Sequence, residues 1–167
     1  MKTGPGGGGV LLEFKKVFME YYDRILRQLA CMLHDPYLAE DLAQEVFIRL
    51  YEHPLKNEEY LGAWLYRVAK NVALNRIRSD RSRMLREARV WEMDGLPVYT
   101  PFQQNEEVMH VREVLNAMDE RDRTILIMKH SDYSYDEIAK VLKVKKTSVG
   151  TLVARAQRKF KELYGEV

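Results

Sequence analysis

The stretch that most restricts this chain lies near its C-terminus, from Tyr133 to Phe160. Ser134 can cap a helix, and Glu137 three residues later completes an S-x-x-E capping box. Tyr133 and Ile138 sit where a hydrophobic staple packs. Ile138, Ala139 and Leu142 fall on one face at helical spacing. The turn Lys143-Val144-Lys145 follows, with Val144 able to plug inward. From Thr147 on, Val149, Leu152 or Val153, Ala156 and Phe160 mark a second apolar stripe. Lys140 to Lys161 contains eight Lys or Arg and no Asp or Glu. Two short helices about a tight turn, the second cationic, is the pattern of a DNA-binding helix-turn-helix. The same spacing also arises in all-helical proteins without nucleic-acid function, so the rest of the chain has to decide.

Charge is the next constraint. The formal net charge of the 167 residues is only +2, yet the charges are sorted into blocks. Asp35 to Ala63 holds seven acids and two bases, and Trp64 to Trp91 holds eight bases and two acids. Glu92 to Asp122 holds eight acids and two bases before the basic C-terminal run. Folding does not require such sorting. Two separate cationic blocks fit two surfaces that meet phosphate. Cys31 is the only cysteine, so no intrachain disulfide is available. It lies in the apolar run 29–33 and reads as a small buried hydrophobe. No apolar run approaches bilayer-spanning length and no signal peptide is visible, so a cytoplasmic protein without membrane insertion is expected.

Taken in order, residues 1–9 with their four consecutive glycines read as a flexible leader or expression remnant. Leu11, Phe14, Val17 or Phe18, Tyr21, Ile25, Leu29 and Met32 predict a helix over 10–33. Asp35-Pro36 is a helix start, and His53-Pro54 ends that helix. Leu38, Leu42, Val46 and Leu50 form its buried row, with Ala39, Ala43 and Phe47 beside it. Its other side carries Asp41, Gln44, Glu45, Ile48 and Glu52, either a solvated face or a docking face. The next helix is expected from about Tyr60 to Ser79. Leu61, Leu65, Val68, Ala69 and Val72 point one way. Arg67, Lys70, Asn71, Asn75 and Arg78 share the other arc, with Trp64 at its edge. Cations, amides and a ring on one face suit single-stranded or distorted DNA. The alternative is solvated arginines with Trp64 in the core.

Arg81 to Arg89 reads as a fraying helix end, and 92–106 as a linker. Helices resume near Asn105, with a stripe of Val108, Val111, Leu115 and Met118. A further helix over 119–130 presents Ile125, Leu126 and Met128. The fold expected is all-α, with an N-terminal helical domain over 10–91 and a C-terminal helix-turn-helix domain over 107–167. His34, His53, His110 and His130 lack the spacing of a metal set, and no phosphate-binding glycine loop is present. No cofactor, metal or catalytic residue is expected.

The run from Ala39 to Leu50, AEDLAQEVFIRL, resembles the polymerase-binding helix of sigma-70 family initiation factors. Ala63 to Ala73, AWLYRVAKNVA, is similar to their helix for the −10 promoter element. Glu120 to Leu126 and Tyr135 to Leu142 resemble the domain that reads the −35 element. With two domains only, a region 2-like bundle and a region 4-like helix-turn-helix on a flexible linker, the chain resembles the extracytoplasmic-function (ECF) group. The resemblance implies a sigma factor, not an enzyme, whose partners are core RNA polymerase, through its β′ clamp helices and β subunit, and promoter DNA. It implies that Asp41, Gln44, Glu45, Ile48 and Arg49 dock on polymerase. Asn57 in the loop 55–59, with Trp64, Arg67, Lys70, Asn71, Asn75 and Arg78, would meet the −10 region and a flipped base. Lys145, Lys146, Thr147, Ser148, Thr151, Arg155 and Arg158 would meet the −35 element. The linker would thread the RNA exit path, and an anti-sigma factor is a further partner common in this group.

This sequence departs from the family pattern in places. Lys143 and Lys145 replace Gly then Ser in the turn, with Thr147 taking over the cap. Gly150 and Leu152 stand at commonly basic positions, Asn75 at a commonly acidic one, and Met118-Asp119 replaces Leu-Pro. A conventional helix-turn-helix regulator is the alternative. It predicts tight binding of isolated duplex and leaves 64–78 unexplained. A nucleic-acid-processing enzyme lacks a visible catalytic constellation. A structural adaptor does not account for two basic blocks.

Overall fold

A computed structural model describes residues 7–94 and 105–165, with side chains over 13–90 and 105–165. Its helices are α1 (Gly7–Leu33), α2 (Pro36–Glu52), α3 (Leu61–Asp94), α4 (Glu106–Ala117), α5 (Glu120–His130), α6 (Tyr135–Leu142) and α7 (Lys146–Gly165). A short 3-10 turn, Glu58–Tyr60, leads into α3. No strand occurs among the described residues.

The first three helices form one bundle. Asp35 caps α2, accepting from the amides of Tyr37 and Leu38, and Pro36 occupies the first turn. Leu42, Val46, Phe47 and Leu50 are buried against Tyr21, Ile25 and Leu29 of α1 and Leu61, Leu65, Ala69 and Val72 of α3. One end is closed by rings: Phe18 stacks on Tyr22 at 4.8 Å and meets Phe47 at 4.9 Å. Such ring pairs add about 1 kcal/mol beyond their area.

Two boundaries differ from the sequence reading. α1 starts at Gly7 rather than Val10. α3 is one helix of 34 residues, about 50 Å long, and not a helix that frays beyond Ser79. Its outer part carries Arg76–Asp80, Arg83–Asp80 and Arg83–Glu87 pairs at helical spacing, each adding a few tenths of a kcal/mol. The basic block therefore continues as helix through the first residues assigned to the linker. The rest of that linker, 95–104, lies outside the described residues.

The C-terminal helices form the second bundle. Asn105 caps α4 and Asp119 caps α5. In α4 the buried residue is Val114, while Val108 and Val111 are 44% and 36% exposed. The expected stripe therefore holds at Leu115 and Met118, which pack on the core, and fails at Val108 and Val111. The capping box at Ser134 and Glu137 is complete in both directions. Val144 packs on the core, as the turn requires. α7 begins at Lys146, so Thr147 falls inside its first turn and does not cap it.

Two consequences for stability follow. Lys143 ends α6 with φ 56° and ψ 46°, a left-handed geometry that costs a non-glycine residue about 1 kcal/mol. Lys143→Gly is expected to raise the free energy of unfolding by about that amount in urea titrations. Asp119 has its carboxyl held at about 2, chiefly by the hydrogen bond from Lys159 and then by the Asp122 amide. The folded value is below the unfolded one, so this stabilisation is complete above the ordinary carboxylate range and is lost as pH falls from about 4 to about 2. Asp119→Ala is expected to cost about 1 kcal/mol at neutral pH. The gap from the parent protein should close over that acid window in paired denaturation curves.

Candidate docking and nucleic-acid surfaces

An exposed side of α2 carries a stripe at spacings of four, three, four and three: Tyr37, Asp41, Gln44, Ile48 and Tyr51, the last of which also meets the Phe14 ring of α1 edge-on at 5.5 Å. All five are exposed, Ile48 and Tyr51 each to 57% and Tyr37 to 79%. Glu45 and Arg49 lie alongside as an ion pair one turn apart. This stripe surrounds apolar and aromatic anchors with charge, a composition typical of protein interfaces. The sequence reading named Asp41, Gln44, Glu45, Ile48 and Arg49 as candidates on this side and did not include the two tyrosines. Their spacing was visible, but tyrosine at a helix boundary reads equally well as core.

On α3, Arg67, Asn71, Asn75 and Arg78 are exposed along one face, and Lys70 is half-buried beside them. Trp64 is partly buried and packs on the core, so its ring belongs to the bundle more than to this face. Asn57 caps the 3-10 turn by accepting from the Glu59 amide. The adjoining loop borders a small cleft of about 90 Å³ lined by Phe14, Val17, Leu55, Glu58 and Leu61 among others.

In the helix-turn-helix, Lys145, Lys146, Thr147, Ser148, Thr151, Arg155 and Arg158 are all exposed. Ser148, Thr151, Arg155 and Arg158 share one face of α7 by their spacing. Gly150 and Leu152 do not lie on that face. A Cβ at Gly150 would meet the Tyr135 ring at 3.7 Å, and Leu152 packs on the core. The two departures from the basic pattern therefore fall off the exposed stripe.

The α3 face and the helix-turn-helix are in contact with each other. Arg67 donates to the Lys140 carbonyl at 3.2 Å, and Lys70 pairs with Glu120 at 2.6 Å. The Lys140 ammonium donates to the Glu59 carbonyl at 2.8 Å and to Asp136 at 2.6 Å, and it lies 5.3 Å from the Tyr60 ring centre. Behind these contacts is a buried polar network that local sequence patterns did not reveal. Tyr21 donates to Glu137 at 2.7 Å, with Arg24 at 3.4 Å from the same carboxylate. Gln28, fully buried, donates to the Tyr66 carbonyl at 2.9 Å and accepts from Tyr133 at 2.7 Å. Burial raises the Tyr21 and Tyr133 hydroxyl pKa values, and the carboxylate beside Tyr21 adds to that rise. Both phenols thus remain donors at neutral pH.

Among the described residues, no group of His, Cys, Asp and Glu could hold a metal ion, and no helix is long and apolar enough to cross a membrane. Burial raises the Cys31 thiol pKa, which keeps the thiol protonated.

Comparison with known proteins bears on these surfaces. Residues 17–83 match the family model for sigma-70 region 2, and residues 109–160 match that for sigma-70 region 4. The chain is 30% identical to the ECF RNA polymerase sigma factor SigW of Bacillus subtilis over 152 residues, covering 83% of this chain and 80% of that protein. It is 24% identical to SigM of the same organism over 156 residues, covering 89% and 93%. In overall fold it is similar to the sigma factor RpoE of Bartonella quintana, solved in complex with the anti-sigma factor NepR. That match has a TM-score of 0.58 and 18% identity, and covers 90% of this chain and 96% of that one. With both sigma-70 regions in order on one short chain, and SigW matched over four-fifths of its length, this protein belongs to the ECF sigma factors of the sigma-70 family.

Proposed function

We propose that this sigma factor divides its work among three surfaces. α2 docks on core RNA polymerase through Tyr37, Asp41, Gln44, Glu45, Ile48, Arg49 and Tyr51. Arg67, Lys70, Asn71, Asn75 and Arg78 of α3, with the loop that Asn57 caps, engage the −10 region and hold its separated strand. The α7 stripe, with Lys145 and Lys146 at its start, binds the −35 element as duplex. The domains are 10–91 and 107–167, and the protein itself carries no catalysis. It works where the polymerase is, in the cytoplasm, and an anti-sigma factor is a fitting partner, as for the Bartonella relative.

The observation that carries this reading is the exposed apolar and acidic stripe of α2. A regulator that binds duplex without polymerase has no use for it, nor for a second cation-and-amide face on α3. Cations on α3 and α7 supply phosphate attraction, and the Asn side chains can address base edges once strands separate. Extruding a base costs a few kcal/mol, which stacking and edge contacts offset.

Adding the protein to core polymerase should produce discrete transcripts from a library of genomic promoter fragments. Core alone should produce none of them. A library without a single dependent start would overturn the reading. The double charge reversal Asp41→Lys, Glu45→Lys is expected to weaken binding to core by at least about tenfold, over 1.4 kcal/mol. The helical circular dichroism and the unfolding midpoint should stay near those of the parent. Unchanged affinity would remove α2 as the docking element.

A further inference from the structure

The outer half of α3 has no core to account for it. Ala73 is the last residue of this helix within the buried cluster. From Asn75 to Val90 the side chains are exposed, with Asp80 alone half-buried. That is an arm about 24 Å long. A helix without a buried stripe persists where its own side chains support it or where another surface meets it. On this arm the two roles fall on opposite sides.

One side is self-supporting. Arg76 and Arg83 both pair with Asp80, and Arg83 also reaches Glu87. Residues 76–90 hold six arginines and two acids, and both acids belong to this ladder. The other side continues the face of Arg67, Asn71, Asn75 and Arg78. The next positions on that line, at spacings of four, three and four, are Ser82, Leu85 and Arg89, with Arg81 alongside. No carboxylate lies on it. Among the described residues Arg78, Arg81 and Arg89 have no ion-pair partner, and Arg86 at the border donates to the Ser82 carbonyl at 3.3 Å. The contacts made by Arg67 and Lys70 with the C-terminal bundle involve the inner half of α3, so this outer line is open.

The chemistry of the face changes at Arg78. Up to Asn75 it offers amides, which can address base edges. Residues 76–90 contain no Asn, Gln or aromatic ring, so they have no amide for base edges and no ring for an unpaired strand to stack on. What remains is a line of cations, which suits the phosphates of paired DNA. Arg78 to Arg89 spans about 16 Å, the rise of about five base pairs. Leu85, 58% exposed between them, offers an apolar surface to deoxyribose. The match to sigma-70 region 2 stops at residue 83, so Arg86 and Arg89 lie beyond it.

We propose that Arg81 and Arg89, in line with Arg78, form a rail for the phosphates of the duplex that enters the −10 region from its upstream side. The rail holds paired DNA at the edge of the separated segment. It adds affinity equally at every promoter and selects none. This inference rests on the assignment of α3 given under Proposed function.

The test uses the full chain bound to core polymerase and two labelled forks made from one dependent promoter, each with its −10 strands unpaired. One fork ends at the upstream edge of the −10 element. The other carries about ten further base pairs of duplex, enough for the rail and short of the −35 element. On the longer fork, Arg81→Gln, Arg89→Gln should lower affinity at least about fivefold at about 0.15 M salt. The slope of log affinity against log salt should become shallower by about 1.8, from two contacts at about 0.9 each. On the shorter fork the variant should match the parent. Arg81→Lys, Arg89→Lys should keep most of the slope, since a point charge suffices for phosphate. An unchanged slope on the longer fork overturns the rail and leaves the sigma function intact. Equal losses on both forks also overturn it, and place these arginines against the −10 element or polymerase instead. Absence of any promoter that depends on the parent protein removes the functional reading, and the rail with it.

Discussion

A single buried carboxylate organises the junction of this protein. Glu137 closes the capping box of α6, and the same two oxygens accept from Tyr21 and face Arg24 across the junction. Local helix stability and long-range domain packing therefore depend on one side chain. A carboxylate this far from water is tolerable only while its acceptor sites are filled. Removing one partner of such a buried set commonly costs 3 to 5 kcal/mol, because the charge remains without compensation. Tyr21 is a dependable partner, since its raised hydroxyl pKa keeps the proton available throughout the physiological range.

The surrounding contacts extend that arrangement from a point to a surface. Lys70–Glu120, Arg67 with the Lys140 carbonyl and Arg27–Asp132 lie at the rim, where screening makes each worth little. The Tyr66–Tyr133 contact and the Gln28 bridge lie inside, where desolvation gives hydrogen bonds more weight. The sorted charges of the sequence now have a geometric meaning. Glu120 on α5 meets Lys70 on α3 and Asp122 meets Lys159 of α7, while Lys146, Arg155 and Arg158 stay exposed.

The helical layout was largely written in local patterns. Asp35-Pro36, His53-Pro54 and the Ser134–Glu137 box fixed helix ends because caps are chemistry between residues two to four apart. The open side of α2 was legible for the same reason, since its buried row defines its opposite. α3 was read too short because its outer half has no apolar stripe. Ion pairs along its own surface accompany its helical form there, and these leave only a weak trace in composition. Val108 and Val111 were taken for core because periodicity cannot say which apolar side another helix will cover. The second role of Glu137 was illegible in principle. Its partner Tyr21 is 116 positions away, and the capping box already supplied a sufficient reason for a glutamate there. Gly62, unremarkable in a helix, acquires its meaning only from that distant side chain.

The continuity of the core has a thermodynamic consequence. If only a fraction of free molecules has its bundles apart, every ligand that requires them apart binds with an apparent dissociation constant divided by that fraction. An opening penalty of 2.7 kcal/mol, for instance, would lower apparent affinity about a hundredfold. Substitutions around Gln28, Tyr66 or Tyr133 would then tune occupancy at every promoter together, without altering which sequences are preferred. Selectivity and activity threshold would be separately adjustable quantities, one written on the exposed faces of α3 and α7 and the other in the buried seam between them.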